Sequence, residues 1–311
     1  MKFRSLLHSK ICCTRQNYCF SCVPEHEITK SEDIAILQNF VDKFSNFLVL
    51  TGAGISTESG LPDYRSKGVG LYDRSSTRPV QYKDFISSAQ VRKRYWSRNF
   101  AAWSRFSSTQ PNETHICLAK WEKVGLINWL VTQNVDRLHH KAGSERVTEL
   151  HGTSYIVKCL NCRTSFSRFQ FQEQLSELNP HFTIRATEMR PDADIEIDPS
   201  LAGKFNIPDC RNCGGILKPD VVFFGETVPK EKVFLVYDKV SESDAVLVLG
   251  SSLEVYSGYR FILAASEQKK CIGIVNIGPT RADHLASFKL NVRCGDILPK
   301  IQVPFSENTS L

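Results

Sequence analysis

Four groups of residues in this chain have the types and spacing to do chemistry. The first is the loop Thr51-Gly52-Ala53-Gly54-Ile55-Ser56, placed directly after the apolar run Phe47-Leu48-Val49-Leu50. A buried strand running into a glycine-rich turn and a helix start offers backbone N–H groups to a phosphate or pyrophosphate. The loop has no Walker lysine. Position 57 is threonine where a G-x-G-x-x-G fingerprint puts glycine, and the next glycine is Gly60. Residues 68–82 do not read as the second strand, ending in an acid for ribose hydroxyls, that an ordinary dehydrogenase uses; Asp73 sits there in a turn-like setting. The loop therefore points to phosphate binding without hydride transfer. Arg65, in Pro62-Asp63-Tyr64-Arg65, could reach the same ligand.

The second group is Gln133-Asn134-Val135-Asp136. Two amides and a carboxylate can hydrogen-bond hydroxyls and a carboxamide, and none is a strong nucleophile. They suit positioning and electrostatic stabilisation of a cationic sugar transition state, or simply the capping of a helix. The third is His151, between Leu150 and Gly152, a general-base candidate if it shares an edge with the amides. His139 and His140 read as surface residues of a following helix. The fourth is Cys159-x2-Cys162 with Cys210-x2-Cys213, followed by Gly214-Gly215. Four thiolates in two C-x-x-C pairs suit a closed tetrahedral zinc site, which supports fold rather than chemistry. The 47 residues between the pairs are long for a zinc ribbon, so residues 163–209 hold an insert. Its acidic segment Asp192–Asp198 lacks the glycine and final glutamate of an EF-hand and reads as a solvated loop.

What must position these groups is a set of short apolar runs. Strands are expected at 47–50, 127–131, 146–150, 221–224, 245–249, 272–277 and 289–293, with helices at 31–45, 114–123 and 260–268 among them. Ser31 reads as the first helix's N-cap, and Ile34, Leu37, Val41 and Phe44 share its face. Each strand ends in a polar or glycine-containing cluster. Seven such clusters on one edge fit a doubly wound parallel α/β sheet, which binds ligands at the carboxyl ends of its strands.

Bulk properties narrow the classes. The chain has 311 residues, 41% hydrophobic and 23% charged, which suits one large or two unequal globular units. No run approaches the ~18 apolar residues of a membrane span. Net charge is +6, but residues 1–24 carry Lys2, Arg4, Lys10 and Arg15 and no acid, leaving about +2 elsewhere. The globular part therefore has no nucleic-acid footprint. The basic, acid-free, hydroxyl-containing N-terminus, without a long apolar run, reads as a mitochondrial transit peptide over 1–27. Eleven cysteines, an odd number, without a secretory signal argue against a disulfide framework.

As a set, Gly-Ala-Gly-Ile-Ser at 52–56, Asp-Tyr-Arg at 63–65, Thr-Gln-Asn-Val-Asp at 132–136, Leu-His-Gly at 150–152, the two C-x-x-C pairs, Val-Val-Phe-Phe-Gly-Glu at 221–226, Gly-Ser-Ser at 250–252 and Asn-Ile-Gly at 276–278 resemble the sirtuin family over about residues 30–300. The leader and the long cysteine spacing look most like its mitochondrial class II branch. The resemblance implies a Rossmann-like NAD domain (28–65, 125–151, 219–303) with a smaller part made of a helical module (66–124) and a zinc module (152–218), then a tail at 304–311. It implies an NAD-dependent protein-lysine deacylase of the mitochondrial matrix that releases nicotinamide and O-acyl-ADP-ribose, with one structural zinc on the four cysteines. His151, Asn134 and Asp136 would be catalytic. NAD would contact Gly52, Ala53, Gly54, Ile55, Ser56, Asp63, Tyr64, Arg65, Gln133, Asn134 and Asp136, and, along its adenosine half, Gly250, Ser251, Ser252, Asn276, Ile277, Gly278 and Cys294. The acylated peptide would add as a strand between Val222, Phe223, Phe224, Gly225 and Glu226 on one side and Glu254, Val255 and Tyr256 on the other. The Tyr and Arg, three apart, of a succinyl-specific relative correspond to Asn99 and Ala102 here, so that device for acidic acyl groups is missing. Lipoyl, biotinyl or other non-acetyl groups on dehydrogenases and carboxylases are the implied substrates, acted on by a monomer. Mono-ADP-ribosyl transfer and an NAD-binding regulator with little turnover are the alternatives.

Overall fold

A computed structural model describes residues 22–76, 78–184 and 189–303. The expected leader up to residue 21 and the tail at 304–311 lie outside these residues. The strands are β1 Phe47–Thr51, β2 Ile127–Thr132, β3 Val147–Glu149, β4 Gly152–Cys159, β5 Ser165–Ser167, β6 Leu217–Val221, β7 Ala245–Leu249, β8 Cys271–Val275 and β9 Phe288–Leu290. Six form a sheet of order β3-β2-β1-β7-β8-β9, every neighbouring pair parallel. The other three form a small antiparallel sheet, β5-β4-β6.

The parallel sheet is buried on both faces, which is why its strands read as continuous apolar runs. In β1, Phe47 and Val49 enter one core, and Leu48 and Leu50 enter the other. In β7, Ala245, Leu247 and Leu249 alternate with Val246 and Val248 in the same way. The first helix spans Ser31–Lys43 and buries Leu37, Phe40 and Val41. Its cap position is Lys30 rather than Ser31, and the Lys30 amide donates to Asp33 at 2.9 Å. The helix Glu113–Lys123 lays Cys117, Leu118 and Trp121 into the core beneath β1 and β2. It therefore packs with the large unit, and the helical module is narrower than 66–124. Among the described residues no helix is long and apolar enough to cross a membrane.

Two expectations about the small unit are corrected. The apolar run at 221–224 is not a strand of the parallel sheet. Val221 ends β6, and the backbone then runs along the junction of the units. Val221 and Phe223 pack into the small-unit core, whereas Val222 packs against the large one. The run is apolar because both faces are covered, but by two different cores. The Gly225-Glu226 cluster accordingly belongs to a junction loop. The acidic segment 192–198 is not a solvated loop. Ala193 and Ile195 are buried, and Asp194 between them and Glu196 after them pair with arginines. Arg98 donates to the Ile195 carbonyl at 2.6 Å and pairs with Asp194 at 2.5 Å, and Arg190 pairs with Glu196. Asn99, on the long helix Ala89–Ser108, donates to the Ala193 carbonyl.

Candidate active site

The carboxyl ends of β1, β2, β7 and β8 open into a cleft of about 1350 Å³ between the two units. Its floor depends on glycines. A Cβ on Gly52 would meet the Gly250 carbonyl at 2.9 Å, and one on Gly54 would meet it at 2.8 Å. Gly250 has φ +56°, and its own Cβ would meet the Ile55 amide at 2.5 Å. Only bare backbone lets the loops after β1 and β7 touch, which leaves a shallow cradle suited to close approach of a pyrophosphate.

His151 sits on the rim of this cleft, half-buried. Its Nδ1 lies 3.0 Å from the Gln133 carbonyl oxygen and its Nε2 2.7 Å from the Ser257 hydroxyl. A carbonyl only accepts, so Nδ1 carries the proton and Nε2 keeps its lone pair. Burial holds the ring's pKa down to about 4, opposed by the Gln133 carbonyl. The imidazole is thus neutral at physiological pH, with a basic nitrogen facing the cleft.

The amide group acts as a brace. Asn134 donates to the Gly52 carbonyl at 3.0 Å and to Ser56 Oγ at 3.1 Å. Asp136 accepts from Ser56 Oγ at 2.7 Å and from the Leu138 amide at 2.9 Å. Burial raises the Asp136 carboxyl above its ordinary pKa, offset by those two donors. Gln133 reaches Ser251 Oγ at 2.8 Å. One cluster at the end of β2 therefore fixes the β1 loop and the β7 loop together. Asp63 caps its own turn, accepting from the Arg65 and Ser66 amides, and Arg65 lies over the Tyr72 ring.

The cleft collects nearly every site residue expected from sequence. Gly52, Ala53, Gly54, Ser56, Asp63, Tyr64, Arg65, Gln133, Asn134, Asp136, His151, Gly250, Ser251, Ser252, Asn276, Ile277, Gly278 and Cys294 line it, as do 222–226 and 254–256. Ile55 does not; it is fully buried in the core below β1. Cys294 is also buried, and its thiol is pushed up to about 12 by that burial, so it is a wall and not a nucleophile.

His139 is corrected from surface to core. It is 2% exposed, lies 3.0 Å from Thr51 Oγ1 through Nε2, and stacks on His115 with centroids 4.9 Å apart. Its helix turns the ring under β1. His140, by contrast, is half-buried at 3.9 Å from Glu149.

Sequence reasoning missed several lining residues. Ser257 directly follows the expected peptide strand, and only its distance to His151 shows its part. Glu58, which accepts from the Gly295 amide at 3.0 Å, joins the wall near Cys294. Pro191 and Asp192 bring the insert to the cleft beside Phe106 and Phe223. Asp192 adopts a left-handed backbone at φ +63°, and burial with the neighbouring Asp194 raises its carboxyl to about 7.

The four cysteines form a separate centre. Their sulfurs all lie within 4.8 Å of one another, with Cys159–Cys213 at 3.5 Å and Cys162–Cys210 at 3.6 Å. A disulfide needs about 2.05 Å. A tetrahedron with Zn–S bonds of ~2.3 Å has edges of about 3.8 Å, so the cluster can coordinate a structural zinc ion. Gly215 is required there, since a Cβ would meet Cys159 Sγ at 2.9 Å.

The Sir2 family model matches residues 52–257. The chain is 53% identical to the NAD-dependent protein deacylase Sirt4 of Drosophila melanogaster, over 92% of this chain and 91% of that one. It is 54% identical to the human NAD-dependent protein lipoamidase sirtuin-4, mitochondrial, over 90% and 89% of the two chains. Among solved structures, a Sir2–p53 peptide–NAD+ complex aligns with TM-score 0.68 at 28% identity, covering 86% of this chain and 96% of that one. Sir2Tm bound to a propionylated peptide aligns with TM-score 0.65 at 27% identity, covering 86% and 96%.

Proposed function

The chain belongs to the Sir2 family, and from that premise we propose how its cleft performs NAD-dependent protein deacylation and on which acyl groups. NAD is the co-substrate. Its cleavage to nicotinamide supplies the electrophilic sugar carbon that captures the acyl oxygen, and the acyl group ends as O-acyl-ADP-ribose with free lysine. The observation that carries the reading is the fixed tautomer of His151. Nε2 is held unprotonated and faces the cleft, so it can take a proton from a ribose hydroxyl when that hydroxyl replaces Ser257.

Other residues position the substrates. Asn134 and Asp136 hold the β1 loop and set a polar floor for the nicotinamide ribose, and Asp136 places a carboxyl group beside developing positive charge. The 222–226 and 254–256 segments flank the entry as edges for an extended peptide. The apolar wall of Leu61, Phe106, Val221 and Phe223 suits the long methylene chain of a lipoyl- or biotinyl-lysine better than a short acyl group. The name of the human relative, a lipoamidase, supports the same class. The names of the bovine and human relatives support a mitochondrial location, and we place the protein in the matrix, acting as a monomer on dehydrogenases and carboxylases that carry such lysines.

Nicotinamide release from NAD, measured with acetyl-, succinyl-, hydroxymethylglutaryl-, lipoyl- and biotinyl-lysine peptides, tests this. Release is expected to be fastest with the lipoyl or biotinyl peptide. In His151→Ala it should fall by about 10²–10⁴-fold. Label from NAD appearing on an acceptor protein, with no peptide-dependent release, would shift the reading to ADP-ribosyl transfer.

A further inference from the structure

One part of the cleft wall comes from the segment before the first helix. Val23, Pro24 and Glu25 line the cleft and lie by Arg293; the adjoining Asn291 in turn accepts from the Gly278 amide at 2.7 Å. The same three residues, with His26 and Arg293, also bound a second, shallower cavity of about 530 Å³. They therefore form a strap at the surface end of the cleft, beside Arg293.

The strap is tied down at its far end. Glu27 forms a parallel bridge with Val292, just past β9, so the segment extends the sheet edge. Asn291 donates to Glu27 Oε1 at 3.4 Å, and His26 Nε2 lies 3.5 Å from Asp296. His26 Nδ1 lies 3.0 Å from the Pro24 carbonyl, which stiffens the turn that presents residues 23–25. Pro24 is buried, whereas Glu25 is exposed and its carboxylate makes no hydrogen bond or ion pair among the described residues.

The chemistry left open at the strand ends matches what the strap offers. Nucleotide folds usually place an acid at a strand end to accept from the adenosine ribose hydroxyls; here the acid after β2, Asp136, is already engaged by Ser56 Oγ and the Leu138 amide. We propose that residues 23–25 complete the adenosine half of the dinucleotide site, Val23 and Pro24 as an apolar cover for the base and Glu25 as a carboxylate that favours a free ribose diol over a 2′-phosphate. The inference rests on the reading of the cleft as an NAD site. It has a corollary for the leader, because a cut at residue 27 would remove the wall. Any leader then ends before Val23.

The test is calorimetric titration of the full chain with NAD and NADP, without peptide. The variants are Val23→Gly/Pro24→Gly/Glu25→Gly together and Glu25→Gln alone, with titration of acyl-peptide as control. In the triple variant, loss of the apolar cover is expected to weaken NAD binding about 5–10-fold while peptide affinity is unchanged. Removing an exposed negative charge facing a phosphate should raise the affinity for NADP relative to NAD about fivefold in Glu25→Gln. If the wild type binds NAD and the triple variant binds it equally well, the strap is not part of the site and the inference is overturned alone. If the wild type binds no NAD, the reading of the cleft falls and the inference with it.

Discussion

The two units of this protein solve the burial problem in opposite ways. The parallel sheet packs by apolar area on both faces: every residue of β1 and of β7 is buried, and all but Thr51 are apolar. The small unit has only three strands, a metal-capable thiol cluster, crowded rings and charges inside. Arg168 is fully buried there, donating to Asn99 and lying 4.5 Å from the Trp103 ring centroid. Lys218 is also buried, paired with Glu226 at 3.0 Å. The first arrangement rests mainly on buried apolar area, with its few polar groups, such as Thr51 and His139, bonded to each other. The second depends on a few specific contacts, and losing one leaves a buried group without its partner. The residues proposed as catalytic come from the edge of the parallel sheet, and the apolar wall of the cleft, Phe106, Val221 and Phe223, comes from the small unit.

Metal removal breaks the comparison most directly. Cys210→Ser, or chelation of the wild type, should take bound zinc from about one per chain to near zero. Structural zinc in small domains contributes on the order of 10 kcal/mol to folding. Hydrogen exchange is expected to rise across β4–β6 while β1, β2 and β7 stay protected. Equal loss of protection in the parallel sheet would mean that the two units fold as one and that the contrast is only compositional.

A smaller effect sharpens it. Arg98→Met removes the partner of Asp194 and the donor to the Ile195 carbonyl. Breaking a fully buried pair costs ~3–5 kcal/mol; Asp194 keeps 31% of its side chain exposed, which lowers the expectation to about 2 kcal/mol. Chemical denaturation measures it. A change near zero would show that the insert is anchored by Ala193 and Ile195 alone.

The same contrast explains what could be read in advance. Period-2 and continuous apolar runs place β1, β2, β7 and β8 because their partners are the sheet itself, and the polar clusters at their ends mark the cleft. Val221–Phe223 defeats that rule, since its apolar residues alternate between two cores that no local pattern distinguishes. His139 defeats the surface reading because its partners, Thr51 and His115, are 88 and 24 positions away. Ala193-Asp194-Ile195-Glu196 carries a period-2 signal, but its acids are matched by Arg98 and Arg190, and only the fold brings Arg98 near. The cysteine spacing was legible because thiolate chemistry allows few other uses of two C-x-x-C pairs.

The smallest expected effect concerns Ser257, where the rigid edge touches chemistry. Its hydroxyl donates to His151 Nε2, the position the ribose hydroxyl takes in the proposed reaction. A donor to the neutral ring favours the neutral form, so Ser257→Ala should raise the histidine pKa from its value of about 4 toward the ordinary 6.5. Activity needs the neutral ring, so the acid limb of kcat/KM for the free enzyme should move to higher pH. At pH 8 the ring is neutral in both proteins, and removing a competitor for Nε2 leaves the rate within about threefold of wild type. A pH–rate profile between 4 and 8 separates this from a structural defect. Misplacement of His151 would lower the rate equally at every pH, whereas loss of the hydroxyl moves the limb and spares the plateau. An unmoved limb with an intact plateau would mean that burial and the Gln133 carbonyl alone set the base, and that Ser257 merely fills the space before the substrate arrives.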